Sequence, residues 1–107
     1  MRDQLLRMFH AGIAACHPAQ VLPRHLPVEA PRVVLAIGKA AGEMARVAEV
    51  HYPGVQGLAV VPHGWHAGLR SIELMHAGHP LPDLHSVAVA ERLLALAGDG
   101  GALLLLS

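Results

Sequence analysis

The sequence predicts an α/β protein, a Rossmann-like and mostly parallel sheet with helices on both faces. Val33–Ile37 is an apolar run without polar alternation, the pattern of a strand buried on both faces of a parallel sheet. That run passes through Gly38 and Lys39 into a segment whose apolar residues recur at helical spacing, which makes a βα unit. Hydrophobic residues form 53% of the 107, yet Phe, Trp and Tyr occur once each. The core is therefore left to Leu, Val, Ile and Ala, as layered helix-and-sheet proteins build it.

The elements follow in order. Leu5, Leu6, Phe9, Ile13 and Cys16 are separated by steps of one, three or four, so residues 3–17 read as an amphipathic helix closed by Pro18. Its apolar stripe requires a surface to cover. Pro18, Pro23, Pro27 and Pro31 disfavour regular pairing over residues 18–31 and predict an ordered, extended connection. After the Val33–Ile37 strand, Ala40, Ala41, Met44, Val47 and Ala48 take one face of a helix and Glu43, Arg46 and Glu49 the other. His51, Tyr52, Pro53 and Gly54 make a turn, and residues 57–61 supply a second strand stopped by Pro62. A glycine-rich loop over 63–70 leads to a third strand at 71–75, and two strands in succession without a helix need a hairpin or a loop crossover. Asp83 is placed as the N-cap of a helix over Leu84–Ala97, whose many apolar positions imply burial over a wide face. Asp99, Gly100 and Gly101 end that helix, and Ala102–Leu106 reads as a buried strand.

Composition narrows the function classes. Eight basic residues balance eight acidic ones, so no overall field recruits nucleic acid or an acidic membrane surface. A lone Cys16 allows no internal disulfide, and no apolar run approaches the about 20 residues of a membrane span, so the expectation is a cytoplasmic chain. The last apolar strand runs to Ser107 without a following turn or helix, which leads to the expectation that residues 1–107 are an incomplete α/β domain.

Chemistry concentrates in two strings. In Gly38-Lys39-Ala40-Ala41-Gly42 the first glycine permits a sharp turn off the strand. The following helix N-terminus presents free N–H groups, and Lys39 in that first turn adds a full positive charge. The combination suits a phosphate or carboxylate. It is neither a Walker A loop, having no glycine five residues ahead of Gly38 and no Ser or Thr after Lys39, nor a G-x-G-x-x-G motif. A turn glycine, a close helix–sheet contact at Gly42 and a solvated lysine account for the same residues without a ligand. In the second string, residues 78–83, Pro80 and Pro82 make a rigid approach to the Asp83 cap and hold His79 at a strand end. The pairs His63/His66 and His76/His79 have ligand-like spacing, but no acidic residue lies within either, and no metal ligand is assigned. There is no G-x-S-x-G elbow and no obvious carboxylate pair, so hydrolase chemistry has no support.

The chain resembles the N-terminal part of the glycerate 2-kinase family, whose members carry a MOFRL domain further on. The resemblance rests on residues 2–6, the Leu22-Pro23 and Leu26-Pro27 connection, residues 37–41, residues 77–83 and the final leucine-rich strand. It implies transfer of the γ-phosphoryl group of ATP, with Mg²⁺, to the 2-hydroxyl of D-glycerate. It implies Lys39 as a catalytic residue neutralising transition-state charge, Gly38, Lys39 and Ala40 as substrate- or phosphate-binding, and His79 and Asp83 as cleft-lining. Residues 61–66 match less clearly, and no role passes to His63 or His66. The resemblance also implies that the second lobe and the MOFRL domain lie outside residues 1–107, so these residues alone are expected to be inactive. Some members are described as hydroxypyruvate reductases, and a non-enzymatic nucleotide- or metabolite-binding module is a further alternative.

Overall fold

Four strands, β1 (Val33–Ile37), β2 (Gly57–Pro62), β3 (Ile72–Ala77) and β4 (Ala102–Leu106), form one all-parallel sheet in the order β3-β2-β1-β4. Four helices accompany it: α1 (Arg2–Ala15), α2 (Pro18–Val21), α3 (Ala41–His51) and α4 (Leu84–Ala97). The computed structural model describes all residues from 1 to 107. In β1, Val33–Ala36 are buried, as the unbroken apolar run predicts.

Period-two alternation sorts the core into two layers. Val34 and Ala36 of β1, Ala59 and Val61 of β2, Ile72 of β3 and Leu105 of β4 pack with Ala41, Ala45 and Ala48 of α3. Val33, Leu35, Leu58 and Val60 point the other way and meet Val89 of α4. The helices therefore lie on opposite faces. The three alanines have no accessible surface, and small side chains let α3 sit close on the sheet.

Several elements depart from the sequence expectations. The first helix ends at Ala15, not at residue 17, and none of its residues is buried; Phe9 is 61% exposed. Its stripe covers no part of this chain. Residues 18–31 are not simply extended: α2 and a 3₁₀ turn at Pro23–His25 occupy the first half. Pro18 and Pro23 stand in the first helical turn, where a missing N–H removes no bond, and His17 Nδ1 accepts the Ala19 amide. The third strand begins one residue later than expected and continues to Ala77. Between β2 and β3 the open question resolves to a helix-free crossover loop, since the two strands are parallel.

The expected deep burial of β4 and α4 is corrected. β4 is an outer strand paired only with β1; Leu105 is buried while Leu104 and Leu106 are exposed. Helix α4 buries Val89 alone, leaving Val87 and Leu94 exposed. The cause is common to both: α4 packs chiefly over β3, β1 and β2, leaving its own outer face and one face of β4 uncovered.

Long connections are tied by polar anchors. Glu49, expected on the solvated face of α3, instead accepts the backbone amides of Arg70, Ser71 and Ile72 at 2.7–3.0 Å, joining α3 to the start of β3. Partial burial pushes its carboxyl up, but these amides and the Ser71 hydroxyl outweigh that and hold it below its ordinary value. Arg32 donates to the carbonyls of Leu96, Ala97 and Gly100, capping the end of α4 and fixing the turn into β4. The Tyr52 hydroxyl donates to the Pro27 carbonyl and pins the proline-rich connection to the end of α3.

Replacing Glu49 by Ala strands three amides and should cost on the order of 2 kcal/mol, read as a lower urea midpoint, with Glu49→Gln intermediate. The Glu49 contribution is complete above the unfolded value near 4.5 and is lost as pH falls through the depressed folded value. Wild type and Glu49→Gln should therefore converge in stability in acid, and a constant gap across the pH range would contradict the assignment.

Candidate functional site

All of the sequence-predicted site residues lie beyond carboxyl ends of parallel strands. Gly38 and Lys39 follow β1, His63 follows β2, Gly78 and His79 follow β3, and Ser107 follows β4. The chain proceeds from β1 outward to β2 and β3, whereas β4 adds on the opposite side of β1. The strand order thus reverses between β1 and β4, and at such a point diverging connections leave a crevice outside the strand ends.

The crevice begins with Gly38, whose φ of +123° disfavours any side chain. A Cβ at this position would also overlap the Ser107 carbonyl and hydroxyl. Ser107 donates its amide to the Ile37 carbonyl at 3.0 Å, and its Oγ accepts the Ala40 amide at 2.9 Å. Lys39 does not stand in the first helical turn as expected. Helix α3 starts at Ala41 with Ala40 as N-cap, so the lysine sits in the preceding turn, exposed and with no carboxylate within ion-pair distance. Of the amides expected to be free for an anion, that of Ala40 is already taken by Ser107. The charge available there is the Lys39 ammonium, supported by the positive end of α3.

Gly38 and His79 come together at the strand ends. They line one small cleft of about 110 Å³ with Ile37, Val60, Pro62 and Gly78 among its walls. Neither Lys39 nor Asp83 lines this cleft. A wider depression of about 470 Å³ between α2 and α3, lined by Ala19, Pro23, Arg46, Val47, Val50 and His51, lies away from the strand ends.

Asp83 holds a second group. As predicted it caps α4: its Oδ1 accepts the Ser86 amide at 3.0 Å, and its own amide donates to Ser86 Oγ at 2.9 Å, a reciprocal capping box. Gly78 allows this closure, because a Cβ there would crowd the Leu81 carbonyl and the Asp83 carboxylate. The other oxygen, Oδ2, lies 2.8 Å from His63 Nε2 and 3.7 Å from His85 Nδ1. The His63 hydrogen bond is the largest cause holding the Asp83 carboxyl far below the usual carboxylate range, with the Ser86 amide adding to it against partial desolvation. His66 and His76 complete a shallow depression of about 460 Å³ with His63 and His85, and His76 Nε2 lies 2.7 Å from the Trp65 carbonyl. Sequence spacing singled out His63, His66 and His76 on two loops that could sit near each other, as these three do, and passed over His85 and the Ser107 contact. The Asp83–His85 step at a helix N-terminus is the one local signal that could have found His85.

A family model described as "Domain of unknown function (DUF4147)" matches residues 4–106. The chain is 35% identical over 99 residues to an Agrobacterium vitis protein named "Putative hydroxypyruvate reductase", covering 88% of the chain and 22% of that protein. It is 36% identical over 101 residues to the D-glycerate 2-kinase of Thermotoga maritima, covering 90% of the chain and 24% of the relative. A solved glycerate kinase from Thermotoga maritima superimposes with a TM-score of 0.79 at 25% identity, covering 97% of this chain and 27% of that one. The chain thus spans about a quarter of the length of these relatives. No helix is long and apolar enough to cross a membrane.

The Asp83 cap is testable through its pH dependence. Asp83→Ala should lower the urea midpoint at neutral pH, whereas Asp83→Asn, which preserves the capping acceptor, should lower it less. Since the Asp83 carboxyl is depressed in the folded chain, its stabilisation is present above the ordinary carboxylate range near about pH 4 and is lost only as pH falls well below it. A stability difference between wild type and Asp83→Asn that is unchanged from neutral pH into strong acid would remove the ionised carboxylate from this role.

Proposed function

Because the chain belongs to the DUF4147 family, we propose that it supplies part of the catalytic cleft of an ATP-dependent glycerate 2-kinase, which phosphorylates D-glycerate at the 2-hydroxyl. The observation that carries this reading is the placement of Gly38 and His79 on one cleft at the carboxyl ends of β1 to β3, with the unpaired Lys39 in the adjoining turn. Glycerate kinases among the relatives and solved structures support the reaction class.

In this reading Lys39 is the catalytic residue. Its ammonium neutralises charge on the transferring phosphoryl group, where a fixed cation lowers the barrier more than it stabilises the substrate. Gly38 keeps a side chain out of the turn that carries that charge. His79 lines the substrate side, whereas Asp83 stands outside that cleft as the cap of α4.

Mg²⁺ fits poorly among these residues. It demands near-octahedral oxygen coordination, whereas Ser86 holds Oδ1 of Asp83, the groups facing Oδ2 are the imidazoles of His63 and His85, and no second carboxylate stands beside it. The Gly38 turn likewise is no complete phosphate cradle, since Ser107 holds its Ala40 amide. We assign the nucleotide and its metal to residues outside these 107, and on that assignment the isolated chain turns over no glycerate.

The reductase alternative has a relative's name in its favour, but the strand ends argue against it. A nicotinamide-binding unit uses G-x-G-x-x-G after the first strand and an acidic residue about 20 positions on to hold the ribose. Here the turn reads Gly38-Lys39-Ala40-Ala41-Gly42, and β2 ends in Pro62, followed by His63.

The test grafts residues 1–107 onto the Thermotoga maritima D-glycerate 2-kinase in place of its matching segment. ADP formation should require glycerate, and Lys39→Ala should lower kcat by about 10²-fold or more, the scale of losing one transition-state charge contact. A near-normal kcat removes Lys39 from the chemistry. Consumption of reduced nicotinamide with hydroxypyruvate, without ADP formation, favours the reductase.

A further inference from the structure

Three donors from separate positions converge beside the carboxyl end of β2. His63 is the first residue after that strand, Asp83 caps α4, and His85 lies in the first turn of α4. Their donor atoms all lie within 4.8 Å of one another. Two features distinguish this group from an ordinary surface ion pair. First, the capping box occupies Oδ1 of Asp83 and leaves Oδ2 turned towards both imidazoles, hydrogen-bonded to His63 Nε2 at 2.8 Å and 3.7 Å from His85 Nδ1. A carboxylate oriented by a hydrogen-bonded support is the arrangement that metal ligands use. Second, His63 and His85 open onto a depression whose other lining includes His66 and His76. The ring of His76 stacks on that of His63 at a centroid distance of 6.4 Å, and His85 meets His63 edge-on at 5.0 Å.

We propose that His63, Asp83 and His85 form a binding site for one divalent cation of the zinc class, held through two imidazole nitrogens and one carboxylate oxygen, with the remaining position open to solvent.

Bonds of about 2.0–2.2 Å to each donor place tetrahedral ligands about 3.3 Å apart. The cation takes the place of the His63–Asp83 hydrogen bond: the His63 proton moves from Nε2 to Nδ1, which leaves the Nε2 lone pair for the metal, and the exposed side chains rotate to the required spacing, His85 being 71% exposed. Mixed nitrogen and oxygen donors select late first-row ions over Mg²⁺ and Ca²⁺, which prefer oxygen alone. The site is separate from the Lys39 turn and does not depend on the kinase reading, because it is read out by metal binding to residues 1–107 alone.

Calorimetric titration of the 107-residue chain with Zn²⁺ tests it, with Mg²⁺ as the comparison cation and Co²⁺ absorption as a report on coordination. One equivalent of Zn²⁺ should bind saturably, and His63→Ala, His85→Ala and Asp83→Asn should each raise the Kd at least about tenfold, a typical loss for a disturbed metal site. Co²⁺ should give intense visible bands that His85→Ala abolishes. His25→Ala, at an exposed histidine in the proline-rich connection, should leave both signals unchanged. Because His85 is exposed, its variant retains the wild-type circular dichroism, and the comparison stays decisive. The proposal is overturned by the absence of a saturable Zn²⁺ heat, or by Zn²⁺ affinity that the three variants leave within twofold of wild type.

Discussion

Burial of β1 is the constraint on which the rest of the structure depends. Val33–Ala36 are shielded above and below, and the strand pairs with β2 on one edge and β4 on the other. A backbone segment in that position has all its polar groups engaged in ladder bonds, and its side chains must be apolar on both faces. Both helical layers therefore assemble on it, α3 against Val34 and Ala36 and α4 against Val33 and Leu35. The same centrality places the candidate site. Since the chain leaves β1 towards β2 and later returns on the far side, neither connection covers the β1 carboxyl end, and the Gly38–Lys39 turn emerges there beside Ser107.

Apolar layers set which elements pack, while a few polar contacts set where the loops run. Glu49 collects the amides that begin β3, Arg32 closes the end of α4, and Tyr52 holds the proline-rich connection. Each receives groups that would otherwise be left without partners at the ends of regular elements. The position of His63 and of the Gly78–Asp83 segment follows from this. The crossover between β2 and β3 has no helix, and Glu49 anchors its far end, so the imidazole at its start is presented to the α4 cap. The exposed pair of Arg92 and Glu73, at 2.7 Å, joins α4 to β3 but contributes little by comparison, as solvent screens it.

The two candidate centres were legible to different degrees. Gly38 and His79 could be placed at strand ends because glycine and proline punctuate the chain where strands stop, and strands of one parallel sheet align those ends. Asp83 was legible as a cap from its position ahead of an apolar helical run, and the capping box with Ser86 agrees. Lys39 fell just short of the helix, one residue before its N-cap Ala40, since boundaries depend on where hydrogen bonds begin and not on side-chain pattern. The spacing of His63, His66 and His76 on two loops raised their proximity without fixing it, and the inclusion of His85 was not legible: exposed imidazoles carry no periodicity, and their meeting depends on the path of the crossover loop.

By itself the sequence determined the α/β class, the four strands, the three long helices and the glycine turn after β1. Apolar period and backbone-restricting residues act over a few neighbouring positions, and those interactions are written locally. The tertiary structure alone decided the β3-β2-β1-β4 order, the outer place of β4, the anchoring of Glu49 and the joining of Asp83 to two histidines. Each of these depends on contacts between residues distant in the chain, where geometry and competition among possible partners select one arrangement. Helix α1 marks the boundary between the two: its pattern was correctly read as amphipathic, but what its apolar stripe would meet is a property of packing, and within these residues it meets nothing.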